Sequence, residues 1–566
     1  MRGQRDFSRA DLLIVGAGVA GLAAAITAKR LRPELDVCVV DKAAGPGNHA
    51  LSGAVLESGV LARLLDPVDP AWFESAEAKA VLASRVEIDD LLFLSRSRSF
   101  KLLPLLKLAK TMGLSYGRMI HGGDYICSVS RLVGWLTKVA VDLGVEVLHG
   151  FAAADILWDE ERQVAAGIKL VDQGRDREGK PQRNFLPGET ISADYIMLAE
   201  GCDGSLSEKF IARADLRRNG EQLYSLGVKE LIRVTSDQYR EFGAGRVVHA
   251  MGYPLWSPVT GPDIFGGGII YPMGDDQIAV GVIAGLDYRH CDFNPQDALT
   301  LFKEHPAVKK YIDGGTVVEA GAKMIPEGGW EAVPRCPHGS IGRGNVVLLG
   351  DSAGLVNMLK IKGLHNAMES GMAAAAALVS LEKSGGGDQA CPAPRTGCGF
   401  AAAYTARLES GEVAQEMVEA RGFRQSIAKF GTLAGMVIAL GGRLLPRFKL
   451  FADYTHMTTE HYPLRPARRF DRDAFTALAR TGHREDEPCH LLIGNPAVCR
   501  DRCLDKFGAP CITFCPAGVY EQIGDQPKPA NPSNCLHCKT CQRKCPYDNI
   551  RWTIPESGDG PRYTTM

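Results

Sequence analysis

The sequence has no charge excess of either sign: 65 Lys and Arg stand against 66 Asp and Glu, a net charge of −1. That balance gives the chain no global bias toward nucleic acid. Long apolar runs are also missing. A bilayer span needs about 20 consecutive apolar residues, and Gly431–Gly442 is far shorter. The run from Leu12 to Ala28 is interrupted by glycines and carries no cleavage site, so it reads as a strand and a helix and not as a secretion signal. No Ser-His-Asp set and no activated cysteine nucleophile suggests itself. With 45% hydrophobic residues over 566 positions, the composition is that of a globular protein with room for several domain-sized units.

Cysteine is where the chain is rich. Eight of its 16 cysteines lie between Cys499 and Cys545. Cys535, Cys538, Cys541 and Cys545 form C-x2-C-x2-C-x3-C before Pro546, and Cys503, Cys511 and Cys515 form C-x7-C-x3-C before Pro516. This is bacterial-ferredoxin spacing, in which thiolates on short turns cage iron–sulfur clusters and the Cys-Pro cysteine crosses to the other cluster. Such clustering argues for metal in a reducing compartment and against disulfides. Beyond these two Cys-Pro halves no internal repeat stands out.

The N-terminal region carries a different motif. Gly16, Gly18 and Gly21 form GxGxxG between an apolar strand, Asp11–Val15, and a small-residue helix, Leu22–Lys29. Glycine permits the tight turn and close backbone approach to a pyrophosphate, and the helix N-terminus offers amide donors. A second strand ends in Asp41, about 20 residues beyond the last glycine, where an acid can bind a ribose hydroxyl. The combination predicts a dinucleotide site.

Two further segments point to FAD over NAD. Gly344–Gly354 is an apolar strand ending in Asp351, Ala353 and Gly354, and resembles the second FAD motif of glutathione-reductase-like and hydroxylase-like flavoproteins. Tyr195–Gly204, with Glu200 and Gly201, resembles a strand and turn that those folds place near the cofactor. Arg131 resembles an arginine of the same folds.

The segments 350–371, 514–521, 534–541 and 549–558, with His49-Ala-Leu-Ser52-Gly53, are similar to the electron-transfer-flavoprotein:ubiquinone oxidoreductase family over essentially the whole chain. The resemblance implies an oxidoreductase that passes electrons from reduced electron-transfer flavoprotein, through FAD and a [4Fe–4S] cluster, to a membrane quinone, either ubiquinone or menaquinone. The implied fold is α/β, in part α+β: a glutathione-reductase-like FAD domain (1–90, 125–205, 335–385), an inserted mixed-sheet quinone domain (91–124, 206–334), a helical and linker region (386–480), and a ferredoxin-like iron–sulfur domain (481–566). Within it, Ser52, Gly53 and Gly363 join the FAD contacts. Phe265, Gly266 and Gly267 are expected at the quinone headgroup, where the family shows a tyrosine in place of Phe265 in animals. Asn357, Lys362 and His365 are expected near the flavin ring, Lys362 to tune its potential and His365 to relay protons. The stretch 384–399, with Cys391 and Cys398, reads as a loop by composition.

The family's single cluster maps onto Cys515, Cys535, Cys538 and Cys541. Cys545, Cys503, Cys511 and Cys499 are extra; they resemble the ligands of a second cluster, [3Fe–4S] without Cys499 or [4Fe–4S] with it, against free thiols or zinc. Two short apolar stretches edged by basic residues, 431–442 and 102–108, are expected to dip into one leaflet, giving peripheral, monotopic attachment at the inner face of a prokaryotic cytoplasmic membrane. The alternative readings are a polyprenyl reductase of the geranylgeranyl type and a relay subunit of a bifurcating flavoprotein complex.

Overall fold

The structure is a computed structural model that describes residues 8–51, 53, 55–82, 84–112, 121–162, 164–257, 261, 263–383, 399–446, 448–468 and 470–566. Ser52 and the loop with Cys391 and Cys398 lie outside the described residues.

Two sheets organise the chain. The first is built on a parallel core in the order Val346–Leu348, Thr190–Leu198, Arg9–Val15, Val37–Asp41 and Glu146–His149. Strands covered on both faces read as continuous apolar runs, and LLIV and VCVV are buried throughout. The helix Val19–Leu31 follows the first strand and packs against the long helix Leu364–Lys383. Small residues set that approach: a Cβ at Gly371 would lie 2.2 Å from the carbonyl oxygen of Ala20. Sequence-distant segments thus return to one nucleotide-binding core.

The second sheet has seven strands in the order Thr316–Pro326, Tyr224–Arg233, Gln277–Gly285, Gly266–Gly274, Arg246–Gly252, Ile88–Leu94 and Ser99–Lys101. All neighbours are antiparallel except Arg246–Gly252 with Ile88–Leu94, which makes the sheet mixed. The strand Ile88–Leu94 straddles the domain boundary expected at residue 90.

The iron–sulfur region is not a separate bead. Its apolar residues share one core with the second sheet, from Leu226 and Val280 to Phe514, Tyr520 and Tyr563. Helix Arg472–Ala479 lies on the edge strand Thr316–Pro326, and the Tyr563 hydroxyl accepts the Ala322 amide at 3.2 Å. Buried Lys544 donates to the carbonyl oxygens of Tyr288 (2.6 Å) and Asp453 (3.3 Å), and Gln296 donates to Pro516 O at 2.9 Å. An interface of this kind holds the domains in one arrangement.

Between sheets and iron–sulfur region run the helices Gly399–Glu409, Glu412–Glu419, Phe423–Phe430 and Thr432–Ile438. The last of these carries the expected membrane segment, and Leu103–Thr111 carries the other. Among the described residues no helix is long and apolar enough to cross a membrane.

Candidate functional site

The GxGxxG turn is shaped for a phosphate. Gly16 has φ +109° and leaves no room for a side chain, since a Cβ there would sit 2.3 Å from Ala199 O; a Cβ at Gly21 would sit 2.0 Å from Gly16 O. Gly18 differs: nothing lies within 4 Å of its Cβ position, which opens onto a cavity. Its neighbour Asp41 accepts the amides of Ala17 (2.7 Å) and Ala43 (2.8 Å), so the acid also fixes the turn. Glu200 caps the helix Ser205–Arg213 by accepting the amides of Leu206 and Ser207.

Two connected cavities meet at this turn. One, of about 160 Å³, is lined by Gly16, Gly18, Asp41, Glu200 and Gly201. The other, of about 330 Å³, is lined by Gly53, Asp351, Lys362, Gly363, Phe265, Gly266 and Gly267. Gly18, Ala50, Val133, Ala199, Gly201 and Lys323 belong to both. Gly354, with φ +77°, is not on either wall; it shapes the turn that carries Asp351, packed against Gln222. The extended, two-chambered space with an open phosphate turn fits FAD.

Three lysines line the smaller cavity: Lys42, Lys323 and Lys539, one from each domain. Desolvation, reinforced by the other two cations, brings Lys42 down to about 7. Crowded cations of this kind are a site for anionic phosphates. Sequence reasoning missed them because they come from three distant segments and carry no motif.

The iron–sulfur region forms the lid of the smaller cavity, through Leu536, His537, Lys539, Trp552 and Tyr563. On the far side of Leu536 and Lys539, Cys515, Cys535, Cys538 and Cys541 line a small pocket of about 20 Å³. The Val519 amide donates to Cys515 Sγ and the His537 amide to Cys535 Sγ, each at 3.4 Å. A four-thiol pocket with N–H···S bonds fits a [4Fe–4S] cluster. Cage and nucleotide cavity therefore share a wall.

The remaining expected residues divide. Lys362 lines the large cavity, its ammonium held by Asp124 and by Glu57 at 3.3 Å. Asn357 and His365 do not reach the cavity. Asn357 accepts the amides of Leu359 and Lys360, both at 3.1 Å, and so holds the turn that presents Lys362. His365 pairs with Glu416 at 3.0 Å behind that turn. Burial raises the Glu416 carboxyl, but His365 and Lys360 outweigh it and bring it to about 2. Arg131 is exposed and lines neither cavity. Helix periodicity explains this: Val129 and Val133, one turn apart, face the cavity, and Arg131 between them turns away. Gly266 and Gly267 do line the cavity, but their missing side chains serve the sheet, since a Cβ would lie 1.9 Å from Ile283 O or 2.1 Å from Ala250 O.

His249, also missed, lines the large cavity. Its Nδ1 is 3.8 Å from Asp89, which bonds His121 at 3.1 Å; His121 Nε2 reaches Lys360 O at 3.0 Å.

Comparison with known proteins accords with this geometry. Residues 467–564 match the family described as "Electron transfer flavoprotein-ubiquinone oxidoreductase, 4Fe-4S", residues 224–325 match "ETF-QO, ubiquinone-binding", and residues 14–81 match a Rossmann-like NAD(P)-binding domain. The electron transfer flavoprotein-ubiquinone oxidoreductase of Pseudomonas aeruginosa is 34% identical over 100% of both chains. The mitochondrial one of rice is 35% identical over 100% of this chain and 94% of its own. The chain belongs to this family. As an electron transfer flavoprotein-ubiquinone oxidoreductase it is an FAD- and 4Fe–4S-dependent oxidoreductase, and the polyprenyl-reductase reading is not favoured. Among solved structures, a variant of the flavin-dependent brominase Bmp2 is 15% identical with a TM-score of 0.50, covering 76% of this chain and 94% of that one, which shows a shared flavoprotein fold.

A pH dependence follows from the lid. Burial lowers His483 to about 4, and burial with the nearby His483 and Lys42 lowers His490 to about 3. Unfolded, both would titrate near 6.5. Below that pH the unfolded chain binds protons that the folded one refuses, so stability falls with pH between about 6.5 and 3. Thermal unfolding between pH 7 and 5 should show this fall, and His490→Gln should make it shallower; an unchanged slope in the variant would contradict the assignment.

Proposed function

We propose that the shared wall is the electron path and that the quinone site is the part of the large cavity lined by His249, Phe265, Gly266 and Gly267, beyond the flavin end at Gly53, Asp351 and Lys362. The chain accepts electrons from reduced electron-transfer flavoprotein and delivers them to ubiquinone. Bound FAD and the 4Fe–4S cluster supply the electron-carrying chemistry, the flavin handling pairs and the cluster single electrons. The chain's own residues hold, orient and shield. Lys42, Lys323 and Lys539 neutralise the phosphates, and the four cysteines hold the iron.

Met251, Trp256, Phe265 and Phe423 give the large cavity its apolar wall. Such a wall excludes water and suits a quinone ring. His249, a histidine on this wall beside Met251 and Phe265, can hand a proton to a quinone oxygen, with Asp89 and His121 orienting it and carrying its replacement. Burial lowers His249 against the raising effect of Asp89, which keeps it neutral near pH 7 and able to act as one end of a relay. Lys362 sets the charge near the ring.

The cavity continues to the helices Phe423–Phe430 and Thr432–Ile438, where Ile427, Thr432 and Met436 line it. Outside that point Phe430, Leu433, Val437 and Leu440 are exposed, Leu433 to 58% and Val437 to 63%. Phe100, Leu108 and Met112 add a second exposed apolar group beside Lys107. Apolar patches of this size mark an interaction surface, and a quinone with an isoprenoid tail enters from lipid. The protein lies on the inner face of a prokaryotic cytoplasmic membrane as a monotopic protein, in the reducing compartment its thiols require. The observation that carries the reading is the continuity of one apolar cavity from the nucleotide turn to this patch.

Replacing both Leu433 and Val437 by Asp removes about 1.5–3 kcal/mol of apolar burial per residue. Binding to anionic vesicles should fall about tenfold or more, with FAD content and turnover of a short-chain quinone retained. Unchanged vesicle binding would contradict the membrane face. His249→Asn should slow quinone reduction about 100-fold while electron uptake from the flavoprotein partner stays near the parent rate. Equal slowing of both, or of neither, would remove His249 from the proton route.

A further inference from the structure

The motif that the established activity does not use is the other half of the cysteine set. We propose that Cys499, Cys503, Cys511 and Cys545 form a second cage and hold a second [4Fe–4S] cluster.

The four come from three segments that the fold brings together. Cys499 and Cys503 bracket a single π-helical turn, Cys511 opens the short helix Cys511–Phe514, and Cys545 follows the helix Thr540–Lys544. All four are buried and none is in a disulfide. Cys503, Cys511 and Cys545 belong to one buried cluster, and Asn549 bonds the sulfurs of both Cys545 and Cys499. Iron bound to this set would hold the four sulfurs as thiolates.

The donors repeat those of the first cage. The amide four residues beyond Cys515, that of Val519, bonds its sulfur at 3.4 Å; the amide four residues beyond Cys545, that of Asn549, does the same at 3.4 Å. Both cysteines precede proline. Each Cys-Pro cysteine therefore serves the cage completed by the other half of the chain, the crossed arrangement of two-cluster ferredoxins. Asn549 further donates its side-chain amide to Cys499 Sγ at 3.3 Å, so one residue bonds sulfurs at both ends of the set. That bond is what assigns Cys499 as the fourth ligand and makes the cluster four-iron. Cysteines of both sets, Cys503, Cys511 and Cys545 with Cys535 and Cys541, belong to one buried cluster, so the two sites adjoin.

The test reads metal content, so it stands apart from the quinone reading. In anaerobically purified protein, iron, sulfide and zinc are measured per FAD, with about eight irons and eight sulfides expected for two four-iron clusters. About four irons, with or without one zinc, would overturn the proposal. Cys545→Ser should halve the iron while FAD content and the first cluster's paramagnetic signal remain. Should that variant fail to fold, Cys499→Ala serves: it should leave the fold and FAD intact and convert the second site to a three-iron cluster with its own oxidised-state signal. Unchanged iron and spectra in Cys499→Ala would exclude it as a ligand and overturn the four-iron assignment.

Discussion

A single buried carboxylate joins the two cofactor regions. Asp203 sits in the turn after the strand Thr190–Leu198, between Cys202 and Gly204, which line the nucleotide cavity. Its side chain pairs with Arg543 and accepts from Gln542 at 3.1 Å, and its carbonyl accepts the Lys539 ammonium. All three partners lie on or beside the helix between Cys538 and Cys545. Desolvation would raise the Asp203 carboxyl, but Arg543 and Lys539 outweigh it and hold it low. A buried charge so paired is costly to break, and through it the iron–sulfur helix is fixed to the turn that shapes the cofactor pocket. Everything proposed for electron flow depends on that fixed wall.

The same principle of converging segments governs the quinone side. Arg424, on the helix beneath the apolar patch, is buried with Asp287 and Glu327, at 2.7 Å to each. It also stacks on Phe265, 4.3 Å from the ring centroid. The helix Phe423–Phe430, the sheet strand carrying Gly266 and the cavity wall are thus held in register by one cation. The apolar cavity reaches Thr432 and Met436, beside the exposed Leu433 and Val437.

What the sequence made legible was what is local. Gly16, Gly18 and Gly21 must sit on one turn, and cysteine spacing must put sulfurs on short loops, so both motifs could be read directly. The family resemblance supplied the order of the domains and placed Lys362 and Phe265 at the cavity. Illegible were the features made only by tertiary convergence: the lysines 42, 323 and 539, and the pair His249 and Asp89, have no shared spacing to betray them. Arg131 shows the converse, since its position in a motif could not reveal which way the helix turns it. Gly266 and Gly267, expected at a quinone headgroup, line the large cavity, and the neighbouring strands leave no room there for a side chain.

The most direct measurement is hydrogen exchange on the holoprotein before and after removal of FAD with the iron retained. A shared wall predicts that amides 536–539 lose protection together with those of Gly16–Gly21, because both border the same cavity. Loss confined to the glycine turn, with the cysteine loop unchanged, would contradict it.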